Sequence, residues 1–269
     1  MKLDDGMPAI HASLLMSGDA CRISDVRLEP GTRLDLAPDT GGRFLQVQNG
    51  GVWTASARRA HCVTRGGGIW LPPSVAHRLY VPYGAALREL RIAPALSEGF
   101  VQSARVACCS GILNLLVSGS ASRALARSPA AVAALLFDEL EAAERAAAWE
   151  IAIDMPSSRS RIAALCDATM LNPGRATPLG AIAASVGVSV RTLHRIFVDE
   201  LGVGAGRWRR SVQAGAAMCA LAVGMPVSDV ARGLGFTPSA FSTFFKSHVG
   251  EAPNRWLANQ RARVGERLE

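Results

Sequence analysis

No run of about 18 apolar residues occurs in the 269-residue chain, so no membrane-spanning helix is expected. Residues 1–18 lack the basic-then-apolar order of a secretory leader, which predicts a cytoplasmic protein with no membrane partner. The six cysteines, at 21, 62, 108, 109, 166 and 219, form no CxxC or CxxxC pair, so the usual zinc spacings are missing. Cys108 and Cys109 are adjacent, a poor geometry for structural zinc. All six are expected to be reduced and mostly buried. No Ser/His/Asp, Cys/His or phosphate-loop constellation is present. The chain therefore reads as a non-enzyme, and no cofactor or metal is expected.

What is present is an uneven charge. The net charge is +7. Up to Met155 there are 15 basic and 15 acidic residues; from Pro156 onward there are 14 basic and 7 acidic. A neutral part is joined to a basic one, so the second is the part expected to meet a polyanion. Its length predicts two domains.

The texture changes along the chain. Between about residues 20 and 95, short apolar stretches such as Phe44-Leu45-Gln46-Val47 and Val52-Trp53-Thr54 alternate with Gly, Pro and Asn breaks, the pattern of a small antiparallel barrel or sandwich. From about Ser97, Ala, Leu and Glu dominate. Helical spacing appears in Ile112, Leu115 and Leu116, and again in Val132, Leu135, Leu136 and Leu140. Leu135, Leu136 and Leu140 are read either as a dimer seam or as packing on the barrel. Residues 155–158 form the candidate linker. The expected fold class is α+β. An N-terminal barrel spans residues 1–96, a helical linker and dimerisation segment 97–155, and an all-α domain 156–269.

Two segments of the basic part, residues 179–202 and 227–250, match at an offset of 48. Ala183 falls on Ala231, Gly187 on Gly235, Ser189 on Thr237, Phe197 on Phe245 and Gly202 on Gly250. Each copy reads as helix, tight turn, helix. Glycine tolerates the left-handed backbone that ends the first helix, and the hydroxyl of Ser189 or Thr237 caps the second. Leu193, Ile196 and Phe197 are expected to be buried in one copy, and Phe241, Phe244 and Phe245 in the other. One face of each second helix is left free. It carries Val190, Arg191, His194, Arg195 and Val198 in the first copy, and Ser239, Ser242, Thr243 and Lys246 in the second. Arg pairs with guanine edges, and Ser and Thr accept several partners, so these faces suit major grooves of double-stranded DNA. A continuous helix over residues 205–223 is predicted between the units, about 27 Å long at ~1.5 Å per residue. Arg207, Arg209 and Arg210 near its start, with Lys246, are expected to contact phosphates.

The stretches GVSVRTLHRIF, ELG, WRR, VSDVARGLGFTPSAFSTFFK and GEAPNRW together resemble the AraC/XylS family of bacterial transcription regulators. The resemblance covers about residues 158–261. It implies seven helices, recognition helices starting near Val190 and Pro238, and, for some members, contact with RNA polymerase. Upstream, GRFLQVQNGGVWTAS and GGGIWLPPSVAHRL are similar to the cupin-type sensory barrels of many such regulators. Metal-binding cupins use an HxH pair in the first motif. That region here has Gln46, Gln48 and Asn49, leaving His77 alone. The resemblance therefore implies a small-molecule effector pocket, with Trp53, Trp70, His77 and Tyr80 as candidate lining residues. The main reading is an effector-responsive, DNA-binding regulator that forms a homodimer. The alternative is a metal-dependent cupin enzyme fused to a DNA-binding domain.

Overall fold

The punctuated apolar stretches of the N-terminal half become ten strands among the residues described by the computed structural model, which are 10–17, 20–97, 100, 103–118, 127–143, 151–174 and 178–265, with the backbone alone at 10–17, 143 and 263–265. The expectation of a leader-free start and part of the segment 97–155 lie outside these residues. The strands are β1 (Ile10–Ser17), β2 (Cys21–Leu28), β3 (Thr32–Leu36), β4 (Gly42–Ala55), β5 (Arg59–Thr64), β6 (Gly67–Leu71), β7 (His77–Val81), β8 (Ala85–Ile92), β9 (Arg105–Cys108) and β10 (Ile151–Asp154). All pairings are antiparallel. One side runs β1-β2-β8-β4-β6-β9 and the other β3-β7-β4-β5-β10. The two sides share β4, whose register shifts between Val47 and Asn49. Such an irregularity bends a strand, so its halves join different sheets. The product is a cupin-like barrel.

Side chains alternate across each strand, so β4 and β6 each feed two different cores. Leu45, Val47, Val52, Ile69, Leu79 and Leu87 meet inside the barrel. Phe44, Trp70, Leu90 and Ile92 point outward. They are covered by α2 (Gly111–Val117) and α3 (Pro129–Ala143), which follow the single turn α1 (Pro94–Ser97). Leu136 and Leu140 are buried in this outer cluster, whereas Leu135 is exposed. Of the two readings of these leucines, packing on the barrel therefore holds for two of the three.

The basic part folds into seven helices among the described residues, the number the resemblance implies. They are α4 (Ala163–Leu171), α5 (Leu179–Ser185), α6 (Val190–Leu201), α7 (Ala205–Ala222), α8 (Val227–Gly233), α9 (Pro238–Val249) and α10 (Pro253–Gly265). The central helix α7 is buried along most of its length, because it packs on both units and on the barrel at once. None of the described helices is long and apolar enough by itself to cross a membrane.

The segment 155–158 is not a free tether at its start. Chain just before it adds β10 to β5, Ile151 opposite Cys62, and the buried Met155 donates its N–H to Arg58 O at 2.8 Å. The barrel and the helical part then share a core in which Trp53, Cys62 and Tyr80 meet Trp208, Val212 and Cys219. Two close approaches fit them together. A Cβ at Gly215 of α7 would lie 2.2 Å from Trp53 Cζ2, and one at Gly51 of β4 would lie 2.7 Å from Cys219 Sγ. Trp208 Nε1 donates to Asp154 O at 2.8 Å. Asp167 of α4 completes the joint, pairing with Arg33 at 3.1 Å and Arg78 at 3.2 Å and accepting from Tyr80 OH.

Candidate nucleic-acid interface

In the first unit α5 gives way to Gly187, two residues past its end, whose φ of +69° lies in the left-handed region. Val188 N donates to Ala183 O and closes the turn. The chain bends by 82° and enters α6. Ser189 accepts from Thr192 N at 3.1 Å, the capping bond its position implies. Leu193, Phe197 and Leu201 are buried along one side of α6, and Ile196, expected to be buried with them, is half-buried at its edge. Gly202 then stops the helix at a φ of +68°. The second unit repeats each device. Gly235 has φ +81°, Thr237 accepts from Ala240 N at 3.4 Å, and Phe241, Phe244 and Phe245 are buried in α9. The first helices also match, with Ala183 and Ala231 buried where the helices of each unit approach. The second helices of the two units start at Val190 and Pro238, where the resemblance implies them.

The free faces differ between copies. Val190, Arg191, His194 and Arg195 are exposed on α6. Neither Arg191 nor Arg195 forms an ion pair with a described residue, so both guanidiniums are available to a ligand. A Cβ at Gly204 would lie 2.7 Å from His194 Nε2; the His194 ring therefore sits over the entry to α7 as well as on the outer face. On α9, Ser239 and Thr243 are exposed and Ser242 is half-buried. Ser242 donates to Pro238 O at 3.1 Å and Thr243 to Ser239 O at 3.3 Å. Hydroxyls turned back onto their own helix have less to offer a base edge. Lys246 is exposed in the last turn of the same helix.

The phosphate candidates divide too. Arg207 and Arg210 are exposed at the start of α7, whereas Arg209 is half-buried and already engaged within the chain. Helix α7 runs Ala205–Ala222, its 18 residues matching the sequence-predicted spacer. At ~1.5 Å per residue it spans about 27 Å, close to the ~34 Å of one DNA turn. These features make the C-terminal part a DNA-binding domain built from two helix-turn-helix units.

The four candidate pocket residues do not converge. Trp53 and Tyr80 face the helical domain, and Trp70 faces α2 and α3, meeting Phe100 and Phe137 edge-on at 5.3 and 5.2 Å. Only His77 of the four borders the barrel's hollow end, a space of about 10 Å³ beside Asp39, Arg43 and Leu71. The physical reason is strand alternation. His77 and Tyr80 are three apart in β7 and must point to opposite sides. Charges fill much of that end: Arg43 pairs with Asp39 at 3.0 Å and Glu89 at 3.6 Å, and Arg91 with Glu89 at 3.0 Å. Burial lowers the His77 pKa to about 4, outweighing a bond to Val75 O, so its imidazole is neutral near pH 7. The donor set does not suit a cupin metal. Gln46 presents a neutral amide, whose N–H donates to Asn114, and no group of three or more His, Cys, Asp or Glu positioned to hold an ion occurs among the described residues.

A model of a helix-turn-helix domain matches residues 182–259. Among curated proteins, the HTH-type transcriptional regulator NimR of Escherichia coli (strain K12) is 27% identical over 199 residues, covering 71% of this chain and 70% of NimR. Among solved structures, unsaturated fatty acid-bound ToxT from Vibrio cholerae covers 90% of this chain and 96% of its own, at 13% identity and a TM-score of 0.37. A cupin 2 conserved barrel domain protein from Leptotrichia buccalis covers 35% of this chain and 45% of its own, at 11% identity and a TM-score of 0.32. At these TM-scores neither overlay bears on function. With the paired units, their caps and the domain match together, the C-terminal part is a helix-turn-helix domain and the chain is a DNA-binding transcription regulator.

Proposed function

We propose that the chain reads double-stranded DNA chiefly through α6. Arg191 and Arg195, with His194 beside them, discriminate bases, while Ser239, Ser242 and Thr243 of α9 mainly seat the second unit. The observation that carries this is the contrast between two exposed, unpaired guanidiniums on one recognition helix and two hydroxyls bonded back to their own backbone on the other. Arg207, Arg210 and Lys246 supply phosphate contacts; Arg209 steadies the start of α7. The protein acts in the cytoplasm, without enzymatic activity, and its barrel passes an effector's binding to the DNA-binding domain through the shared core. Ile112, Leu115 and Leu135 are large apolar side chains exposed on α2 and α3. They form a homodimer seam, and contact with RNA polymerase is carried over from the resemblance alone.

Selection of bound sequences from a random duplex pool by the purified chain tests the reading. The expected yield is a shared motif with a strongly fixed half and a weakly fixed half about one turn away. Recovery of no motif, or of two equally fixed halves, would contradict it.

A further inference from the structure

The space beside His77 at the end of the barrel measures about 10 Å³. A second cleft, of about 340 Å³, lies where the barrel meets the second helix-turn-helix unit. That volume falls in the range of small-molecule sites. Its apolar wall comes from Leu221 at the end of α7, Met225 in the following turn, and Trp256 and Leu257 of α10. Its rim carries Arg65, from the turn between β5 and β6, and Arg261 of α10. Both guanidiniums are exposed, and neither forms an ion pair with a described residue. Trp256 is fully buried in the wall, and its indole N–H has no acceptor.

We infer that this cleft binds an amphipathic monoanion: an apolar body of about 10–15 non-hydrogen atoms, sized to a few hundred Å³, bearing one carboxylate or sulfonate. The body rests against Leu221, Met225 and Leu257, and the anion lies between Arg65 and Arg261. This rests on the effector-responsive reading above and relocates its site. Arg65 belongs to the barrel, and the wall belongs to the DNA-binding domain. A ligand held by both favours the docked arrangement over any in which they separate, because only the docked form offers both partners.

Isothermal titration of the full chain with 2-naphthoate tests the inference, with inorganic phosphate and 2-naphthylmethanol as the head-only and body-only probes. Expected is saturable one-to-one binding of naphthoate. Each half-probe should bind about tenfold more weakly or worse, as should naphthoate to a chain carrying both Arg65→Gln and Arg261→Gln. Leu257→Glu should abolish binding, and naphthoate should raise the melting temperature of the wild type but not of that variant. Equal binding of the alcohol or of phosphate, an unaffected double-arginine variant, or no saturable binding would overturn it. Binding of a selected duplex, measured on the same preparations, separates the two readings. If the duplex binds and naphthoate does not, the cleft assignment fails while the DNA reading stands. If naphthoate binds but the duplex does not, the DNA reading is the one that fails.

Discussion

Gly215 of α7 receives the indole of Trp53 from β4 so closely that a Cβ at that glycine would stand 2.2 Å from Trp53 Cζ2. Glycine inside a helix ordinarily costs about 0.5–1 kcal/mol relative to alanine, so Gly→Ala there usually stabilises. Here the sign reverses. Gly215→Ala should destabilise by about 1–3 kcal/mol, the range for overpacking a filled core, and should loosen the barrel from the helices. Thermal unfolding and limited proteolysis between the domains check this. An unchanged or higher melting temperature would remove the contact from the account.

Asp167 holds the other end of the same joint. Burial, reinforced by the bond to Asp167, raises the pKa of Tyr80. Asp167→Asn should therefore bring part of the tyrosine titration to lower pH, read by ultraviolet difference spectra, and should weaken the docking of α4. The side chain of Asp167 is 16% exposed and faces both Arg33 and Arg78. Losing the carboxylate leaves Arg33 and Arg78 with Asp35 alone and takes away the acceptor of the Tyr80 hydroxyl, so a cost of about 1 kcal/mol is expected.

His77 sets an acid limit on the barrel. Its folded pKa of about 4 lies below the ordinary 6.5. The unfolded chain thus takes up the proton first as pH falls. Stability from keeping this imidazole neutral is full above pH 6.5 and lost progressively between 6.5 and 4. The melting temperature should decline across that window in the wild type and decline less in His77→Gln. Parallel curves would show that His77 does not contribute.

The exposed leucine of α2 tests assembly. Leu115 is 62% exposed, one helical turn from the exposed Ile112. Leu115→Glu should shift sedimentation from dimer to monomer with little change in melting temperature, because the side chain contributes little to the core. A wild type that sediments as a monomer, or a variant that remains a dimer, would contradict the seam.

The recognition helices were legible because their signals are local. A left-handed glycine, a hydroxyl cap and apolar residues at helical spacing act within a few positions, and two copies 48 residues apart reinforce each other. The barrel's strands were legible for the same reason, through period-two alternation. The joint between domains was not. Trp53, Trp70 and Tyr80 look like pocket residues in sequence, but which side they face depends on strand phase and on the shift between Val47 and Asn49 in β4. Alternation could have separated His77 from Tyr80 in advance. Gly215, inside a helical pattern, was the signal that another element comes close. Nothing local marked Arg65 and Arg261 as neighbours, since they are nearly two hundred residues apart and meet only through the docked fold.

Phosphate contacts should give the DNA complex a steep salt dependence. With ~4–8 phosphates neutralised, the slope of log K against log salt is expected at about −4 to −7. Arg207→Ala or Arg210→Ala should weaken all sequences alike and flatten that slope by about one unit. Arg209→Ala should act on stability instead. A flat salt response would contradict the placement of α7 along the backbone.

The most direct measurement compares Arg195→Ala with Ser242→Ala on a panel of duplexes varied one base pair at a time. Arg195→Ala should relax preference at its half-site by about 1–3 kcal/mol, whereas Ser242→Ala should leave the preference profile unchanged. Unchanged preference in Arg195→Ala together with relaxed preference in Ser242→Ala would contradict the assignment of base reading to α6.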